Sequence, residues 1–170
     1  MAASLRVVVL ADTHLRDSDM PRRDLPKQAW ERVRQCDMVL HAGDVLERGL
    51  LRRLNEVAPT RAVLGNNDLT LVGDLPETLQ LALAGVRVAM VHNSGRKAGR
   101  PKRLRRRFPE ADIVVFGHSH IPCNEVGFDG QVLFNPGSAT TRRSQPVCTL
   151  GQLVLTEGHI VERSIIKLDR

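Results

Sequence analysis

LRVVVLADTH, residues 5–14, sets five apolar residues, Val7 to Ala11, directly before Asp12 and His14. Valine and leucine without polar alternation form a strand that is covered on both faces, as in sheets packed between other layers. A strand over 5–11 therefore belongs inside an α/β fold, and its polar tail emerges at the carboxyl end. In open α/β sheets that end is where ligands bind.

The order of elements outward from this strand supports the same class. A polar, Pro-broken loop covers 12–24, and a helix near 26–35 opens at Pro26, a residue suited to a helix's first turn. A strand over 37–43 leads to a helix near 48–57, where Leu50, Leu51, Leu54 and Val57 follow helical spacing. A further strand over 60–65 runs into GNND, residues 65–68. The pattern then changes to hairpins: one over 78–93 around Ala84-Gly85, one over 123–135 around Asp129-Gly130, and a last pair around Gly158-His159. Between the first two lie a basic helix near 101–108 and a strand over 111–117. Crossovers first and hairpins later predict two mixed β-sheets packed face to face with flanking helices, in one domain over 1–170.

Composition narrows the class of protein. The chain has 170 residues, 42% of them apolar, with one Trp, four Phe and no Tyr, so its core rests on aliphatic side chains. The apolar runs are too short to span a bilayer, and no secretion segment is evident. Cys36, Cys123 and Cys148 are odd in number and carry no paired spacing, so a reducing, cytoplasmic setting is expected. The net charge of +6 includes eight Lys and Arg within residues 96–107, leaving the remainder at −2. That basic run has no interleaved aromatic residue for base stacking, so it is expected to be the solvated face of a helix whose Leu104 and Phe108 pack inward. Electrostatic steering of an anionic substrate would be a by-product.

Several polar residues share the placement of Asp12 and His14. Asp44 follows MVLHAG, Asn66 follows AVLG, His92 follows VAMV, and His118 and His120 follow IVVFG. Singly, each has an ordinary explanation: a turn or cap for Asp12, Asp44 and GNND, a surface residue for His14, a satisfied core histidine for His92. Seven metal-compatible side chains brought to one edge by different strands are a more specific pattern, and together they point to a shared metal site.

The motifs DTH (12–14), GD (43–44), GNND (65–68), VH (91–92) and GHSH (117–120), in this order, resemble the calcineurin-like metallophosphoesterases. FNPGSAT (134–140) is similar to the small bacterial and archaeal phosphodiesterase branch of that superfamily. The resemblance implies a four-layer α/β/β/α fold and two divalent metal ions. Asp12, His14 and His120 would hold one ion, Asn66, His92 and His118 the other, and Asp44 would bridge both. Ions about 3.5–4 Å apart share a bridging water that acts as hydroxide on phosphorus. Mixed nitrogen and oxygen ligands suit manganese, iron, nickel, cobalt or zinc better than magnesium or calcium, and manganese is the expected ion. The catalytic set is then Asp44, Asn66 and His92, with no side-chain general acid. Asn67 and Ser94 stand where many relatives carry histidine, and an amide or hydroxyl does no acid catalysis at neutral pH.

Other residues take supporting roles. His41 is expected to bond a neighbour within the fold. NPGS (135–138) has Pro and Gly at type II turn positions and is expected beneath the site. Cys123 is read as a small buried residue at a strand start, and His159 carries no role. The expected function is a metal-dependent phosphodiesterase acting on a small phosphodiester, without a membrane partner. The alternatives are a nuclease with a polymeric substrate and a non-catalytic interaction module like the retromer subunit of the same fold. Seven filled ligand positions favour the enzyme, and 170 residues leave little room for a nucleic-acid recognition domain. Nothing in the sequence assigns an oligomeric state.

Overall fold

A computed structural model describes residues 4–169. Its strands are β1 (Leu5–Leu10), β2 (Met38–His41), β3 (Thr60–Ala62), β4 (Thr78–Leu83), β5 (Val86–Val91), β6 (Ile113–Val115), β7 (Cys123–Val126), β8 (Val132–Asn135), β9 (Cys148–Thr156) and β10 (His159–Leu168). The helices are α1 (Lys27–Arg34), α2 (Arg48–Val57) and α3 (Arg100–Arg107). One sheet runs β10-β9-β1-β2-β3, the other β4-β5-β6-β8-β7. Both are mixed: β1 pairs in parallel with β2 and antiparallel with β9, and β5 pairs in parallel with β6 and antiparallel with β4.

The alternation of side chains along each strand explains the layering. Val7, Val9, Leu40, Val88, Met90, Ile113, Phe134 and Leu153 meet in one buried cluster between the sheets. Val8, Leu10 and Val39 point the other way and pack on Ala29, Trp30 and Val33 of α1 and Leu50 and Leu54 of α2. Ala89, Val91, Val114 and Leu133 pack outward on Leu104 and Phe108. The continuous apolar runs of β1 and β5 follow from this arrangement, since both faces of each sheet are covered. The result is the four-layer α/β/β/α fold.

The edge strand β3 and the central strand β6 are shorter than their apolar runs suggest. β3 ends at Ala62, because Leu64 turns away to donate its N–H to the Pro76 carbonyl and Gly65 begins a turn. β6 ends at Val115, where Gly117 N–H has already moved to the His92 carbonyl. In both places the ladder stops early because the backbone bends to deliver the next polar residue. All three cysteines are free. Among the described residues, no helix is long and apolar enough to cross a membrane.

Candidate metal centre

The seven residues leave the carboxyl ends of β1, β2, β3, β5 and β6 and converge where the two sheets meet. Five of them adopt left-handed backbone: Asp12 (φ 53°), His14 (46°), Asp44 (58°), His118 (70°) and His120 (60°). That conformation costs a non-glycine residue about 1–2 kcal/mol, and such strain gathers where surrounding structure enforces it.

The enforcing contacts are visible. The Asp12 and His14 N–H groups donate to the Gly43 and Asp44 carbonyls at 2.9 and 3.0 Å. Ser138 Oγ donates to the Asp12 carbonyl at 2.8 Å, and Thr140 Oγ1 to that of Thr13 at 2.6 Å. NPGS therefore lies beneath the site, bent at Gly137 (φ 73°), whose N–H donates to Asn135 Oδ1 at 2.9 Å. Gly65 is required by close approach: a Cβ there would stand 2.1 Å from the Asp44 nitrogen and 2.3 Å from Asp44 Oδ1.

The side chains form two adjoining groups. In the first, His14 Nε2 and His120 Nε2 are 3.2 Å apart, and His120 Nε2 is 3.6 Å from Asp12 Oδ1. In the second, Asn66 Oδ1 lies 2.9 Å from His92 Nε2 and 3.0 Å from His118 Nδ1. Asp44 stands between them, with Oδ2 3.5 Å from His14 Nε2 and Oδ1 3.5 Å from His92 Nε2. Asp12 Oδ1 also approaches His92 Nε2, at 3.9 Å, so Asp12 borders both groups and is not confined to the first. Ligand atoms of Asp12, His14 and His120 lie within 4.8 Å of one another, and so do those of Asp12, Asp44 and His92.

The chemistry of this donor set fits divalent cations. Both Asp12 oxygens are buried without a hydrogen-bond partner. Buried carboxylates are otherwise hydrogen-bonded or paired, so an orphaned one is a vacancy for positive charge. Burial pushes the Asp12 carboxyl up to about 7. Burial also works to raise Asp44, but hydrogen bonds from His92 and from the Asn67 backbone and amide outweigh it and hold Asp44 below the usual carboxylate range. His14, His118 and His120 are lowered, chiefly by burial, which favours the neutral imidazole that binds metal.

Surrounding groups fix the rings. His92 Nδ1 donates to the Ala42 carbonyl at 2.7 Å and His120 Nδ1 to that of Thr141 at 2.5 Å, so each turns its Nε2 into the site. Burial works to lower His92, but its bonds to Asp44 and the Ala42 carbonyl raise it, so its Nε2 carries a proton that a bound ion would replace. His41 is fully buried and bonds within the fold: its Nδ1 accepts the Gly43 N–H at 3.2 Å, and its Nε2 donates to Thr13 Oγ1 at 3.0 Å. Burial takes His41 down to about 3, keeping it neutral.

Three residues do work that sequence reasoning did not assign. The Asp68 carboxylate is buried and accepts N–H groups from Asp44 (2.9 Å), Gly65 (2.7 Å) and Leu46 (2.7 Å), locking two ligand loops together. Its signal was the aspartate that closes GNND, since a carboxylate three residues beyond a glycine can bond back to that glycine's N–H. Asn67 is more than an absent acid: its backbone N–H and amide donate to the two Asp44 oxygens at 2.8 and 2.7 Å. Arg143 stands in left-handed backbone (φ 51°) beside the His120 side of the site, and no sequence motif singled it out.

The basic run is partly structural. Leu104 and Phe108 are buried, Arg103 donates to the Ser94 carbonyl at 2.9 Å, and Arg105 donates to the Pro109 and Asp129 carbonyls at 2.8 Å. Cys123 is half-buried at the start of β7, and His159 is exposed at the start of β10.

Residues 5–157 match the family model of the calcineurin-like phosphoesterase superfamily domain. The chain belongs to that family. A protein of Methanothermobacter thermautotrophicus named "Probable metallophosphoesterase" is 31% identical over 137 residues, covering 79% of this chain and 77% of its own. Two solved structures share the fold at lower identity. Vacuolar Protein Sorting 29 of Cryptosporidium parvum superposes with a TM-score of 0.75 at 18% identity, covering 98% of this chain and 99% of that one. YfcE, a phosphoesterase from E. coli, superposes with a TM-score of 0.59 at 23% identity, covering 94% and 98%.

Proposed function

We propose that this chain is a metal-dependent phosphodiesterase that holds two divalent ions. The observation that carries the reading is Asp44, whose two oxygens each stand 3.5 Å from a histidine of a different group, beside an Asp12 carboxylate with no partner of its own. In this reading Asp12, His14 and His120 hold one ion, Asn66, His92 and His118 the other, and Asp44 spans both, with Asp12 within reach of either. When bound, such a pair activates water as a nucleophile and offsets negative charge on the phosphoryl oxygens. The mixed donors suit manganese, iron, cobalt, nickel or zinc better than magnesium or calcium, and manganese is taken as the assay metal.

The chain's own residues keep this arrangement ready. Asn67 and His92 hold Asp44 ionised, the carbonyls of Ala42 and Thr141 fix two imidazole tautomers, and Asp68 ties the loops of Asp44 and Gly65. The organic part of the ester would lie in a groove of about 330 Å³ that opens at Asn66 and His92 and continues to Asn93, Glu77 and Arg107. That volume suits a small ligand. The engagement of Arg103 and Arg105 with backbone carbonyls supports a small diester over nucleic acid.

The histidines among the seven face the ligand cluster, and Asn67 is engaged with Asp44, so among the described residues no side chain is placed to protonate a leaving group. Diesters with good leaving groups should therefore react fastest. The expected result is turnover of bis(4-nitrophenyl) phosphate with manganese, little on the corresponding monoester, and none after chelation. Turnover that persists in chelator with no bound metal would reject the reading.

A further inference from the structure

The seven proposed ligands contain no permanently cationic side chain, yet phosphoryl transfer gathers charge on non-bridging oxygens that a fixed cation would stabilise. One arginine is placed for that task. Residues 138–143 form a loop bonded to the site from several sides: Ser138 Oγ and Thr140 Oγ1 donate to the carbonyls of Asp12 and Thr13, and His120 Nδ1 donates to that of Thr141. Arg23 braces the same loop, its guanidinium donating to Thr141 Oγ1 at 2.9 Å and to the His14 carbonyl at 3.3 Å.

The two arginines that follow have different fates. Arg142 donates to the Gln145 carbonyl at 2.6 Å. Arg143 is exposed, its backbone sits at φ 51°, and among the described residues it makes no hydrogen bond or ion pair. It stands two residues past Thr141, whose carbonyl accepts from His120 Nδ1 at 2.5 Å, so its charge lies at the His120 side of the site. Gln145 N–H donates to the Arg142 carbonyl at 2.9 Å, so Arg143 is the first central residue of a closed turn, which sets its backbone and leaves its side chain exposed and unengaged at the end of a braced loop.

We propose that Arg143 contacts the phosphoryl group directly, donating its guanidinium N–H groups to non-bridging oxygens of a phosphoester or phosphate anion at the mouth of the metal centre. This rests on the phosphodiesterase reading. Arginine presents two parallel donors that match a phosphoryl edge, and it carries charge without giving up a proton, which suits a site with no general acid.

The test uses the manganese-loaded protein, with orthophosphate as the binding probe and bis(4-nitrophenyl) phosphate as substrate. Arg143→Ala should keep its metal content and thermal midpoint, bind orthophosphate about 10-fold or more weakly by calorimetry, and lose about 10–100-fold in kcat/KM. Arg143→Lys should recover part of both losses, because charge returns without the fork. Unchanged phosphate affinity and turnover in Arg143→Ala would overturn the assignment and leave the phosphodiesterase reading standing. Loss of metal in both variants would also overturn it, since the arginine would then serve the loop. If the wild type binds orthophosphate through Arg143 yet hydrolyses no ester, the anion contact survives and the phosphodiesterase reading fails.

Discussion

Left-handed backbone occurs at both ends of this molecule, for opposite reasons. Away from the metal centre, Ala84-Gly85 and Glu157-Gly158 close the β4–β5 and β9–β10 hairpins with two-residue turns, φ 48° and 83° in one, 47° and 80° in the other. Both central residues are positive there because such turns match the twist of the strands they join. The two turns pack together, Gly158 N–H donating to the Ala84 carbonyl at 2.7 Å. At the other end, Asp12, His14, Asp44, His118 and His120 take the same backbone region without closing any hairpin. They do so because neighbouring loops hold them, and the outcome is a cluster of side chains that repel or go unsatisfied unless cations join them. One end uses left-handed backbone to finish a sheet, the other to bring the candidate metal ligands together.

The largest effect expected from disturbing this contrast is at Asp44. Asp44→Asn keeps the size and loses the charge that both ligand groups face, so turnover of a diester should fall by about 10²–10³-fold or more. Near-normal rates would remove Asp44 from the centre of the account. Asp12→Asn tests the unsatisfied carboxylate. Manganese at about 100 times its dissociation constant should stabilise the wild type by about 2.7 kcal/mol for each ion bound, and the variant should show little of that gain. With metal absent, the variant should be no less stable than the wild type, because a buried unpaired carboxylate has been removed. A metal-free Asp12→Asn protein that melts well below the wild type would mean that Asp12 stabilises the fold by itself.

His41 gives a smaller, pH-dependent effect. Its pKa in the fold is lowered from 6.5 to about 3 by burial, so the unfolded chain binds the extra proton first. Stability linked to His41 is complete above pH 6.5 and drains away as pH falls toward 3. In chelator-treated protein, the melting temperature of His41→Gln should fall less steeply than that of the wild type between pH 6 and 4. Parallel slopes would show that His41 is not buried as a neutral ring. The smallest effect belongs to the far end. Glu157→Asn places a residue tolerant of left-handed backbone in the last hairpin turn and should raise the melting temperature by about 2–4 °C with turnover unchanged. A lower melting temperature would mean that the Glu157 side chain supports the turn.

Much of this was legible along the chain, and the legible part has a common cause. A run such as Val7–Ala11 announces a strand covered on both faces, and a polar residue immediately after it must emerge at the strand's end. The helix over 48–57 and the hairpin turn at Ala84-Gly85 follow from periodicity and turn chemistry of the same local kind, and the order of elements implied two packed sheets. What stayed hidden depends on residues far apart in sequence. Asp68 gains its meaning from N–H groups 22 and 24 residues away, and Asn67 from an oxygen 23 residues away. The early ends of β3 and β6 are likewise set by loop carbonyls and not by their own side chains. Arg143 offered no motif, because an unpaired arginine is recognisable only once its backbone and surroundings are known.

The central claim is that the cluster of Asp12, His14, Asp44, Asn66, His92, His118 and His120 is a two-ion centre. The most direct measurement is calorimetric titration of chelator-stripped protein with manganese, checked by elemental analysis of the loaded product. Two ions bound per chain in the wild type, with both weakened in Asp44→Asn, is the predicted result. One ion per chain, or two ions whose binding ignores Asp44, would contradict it.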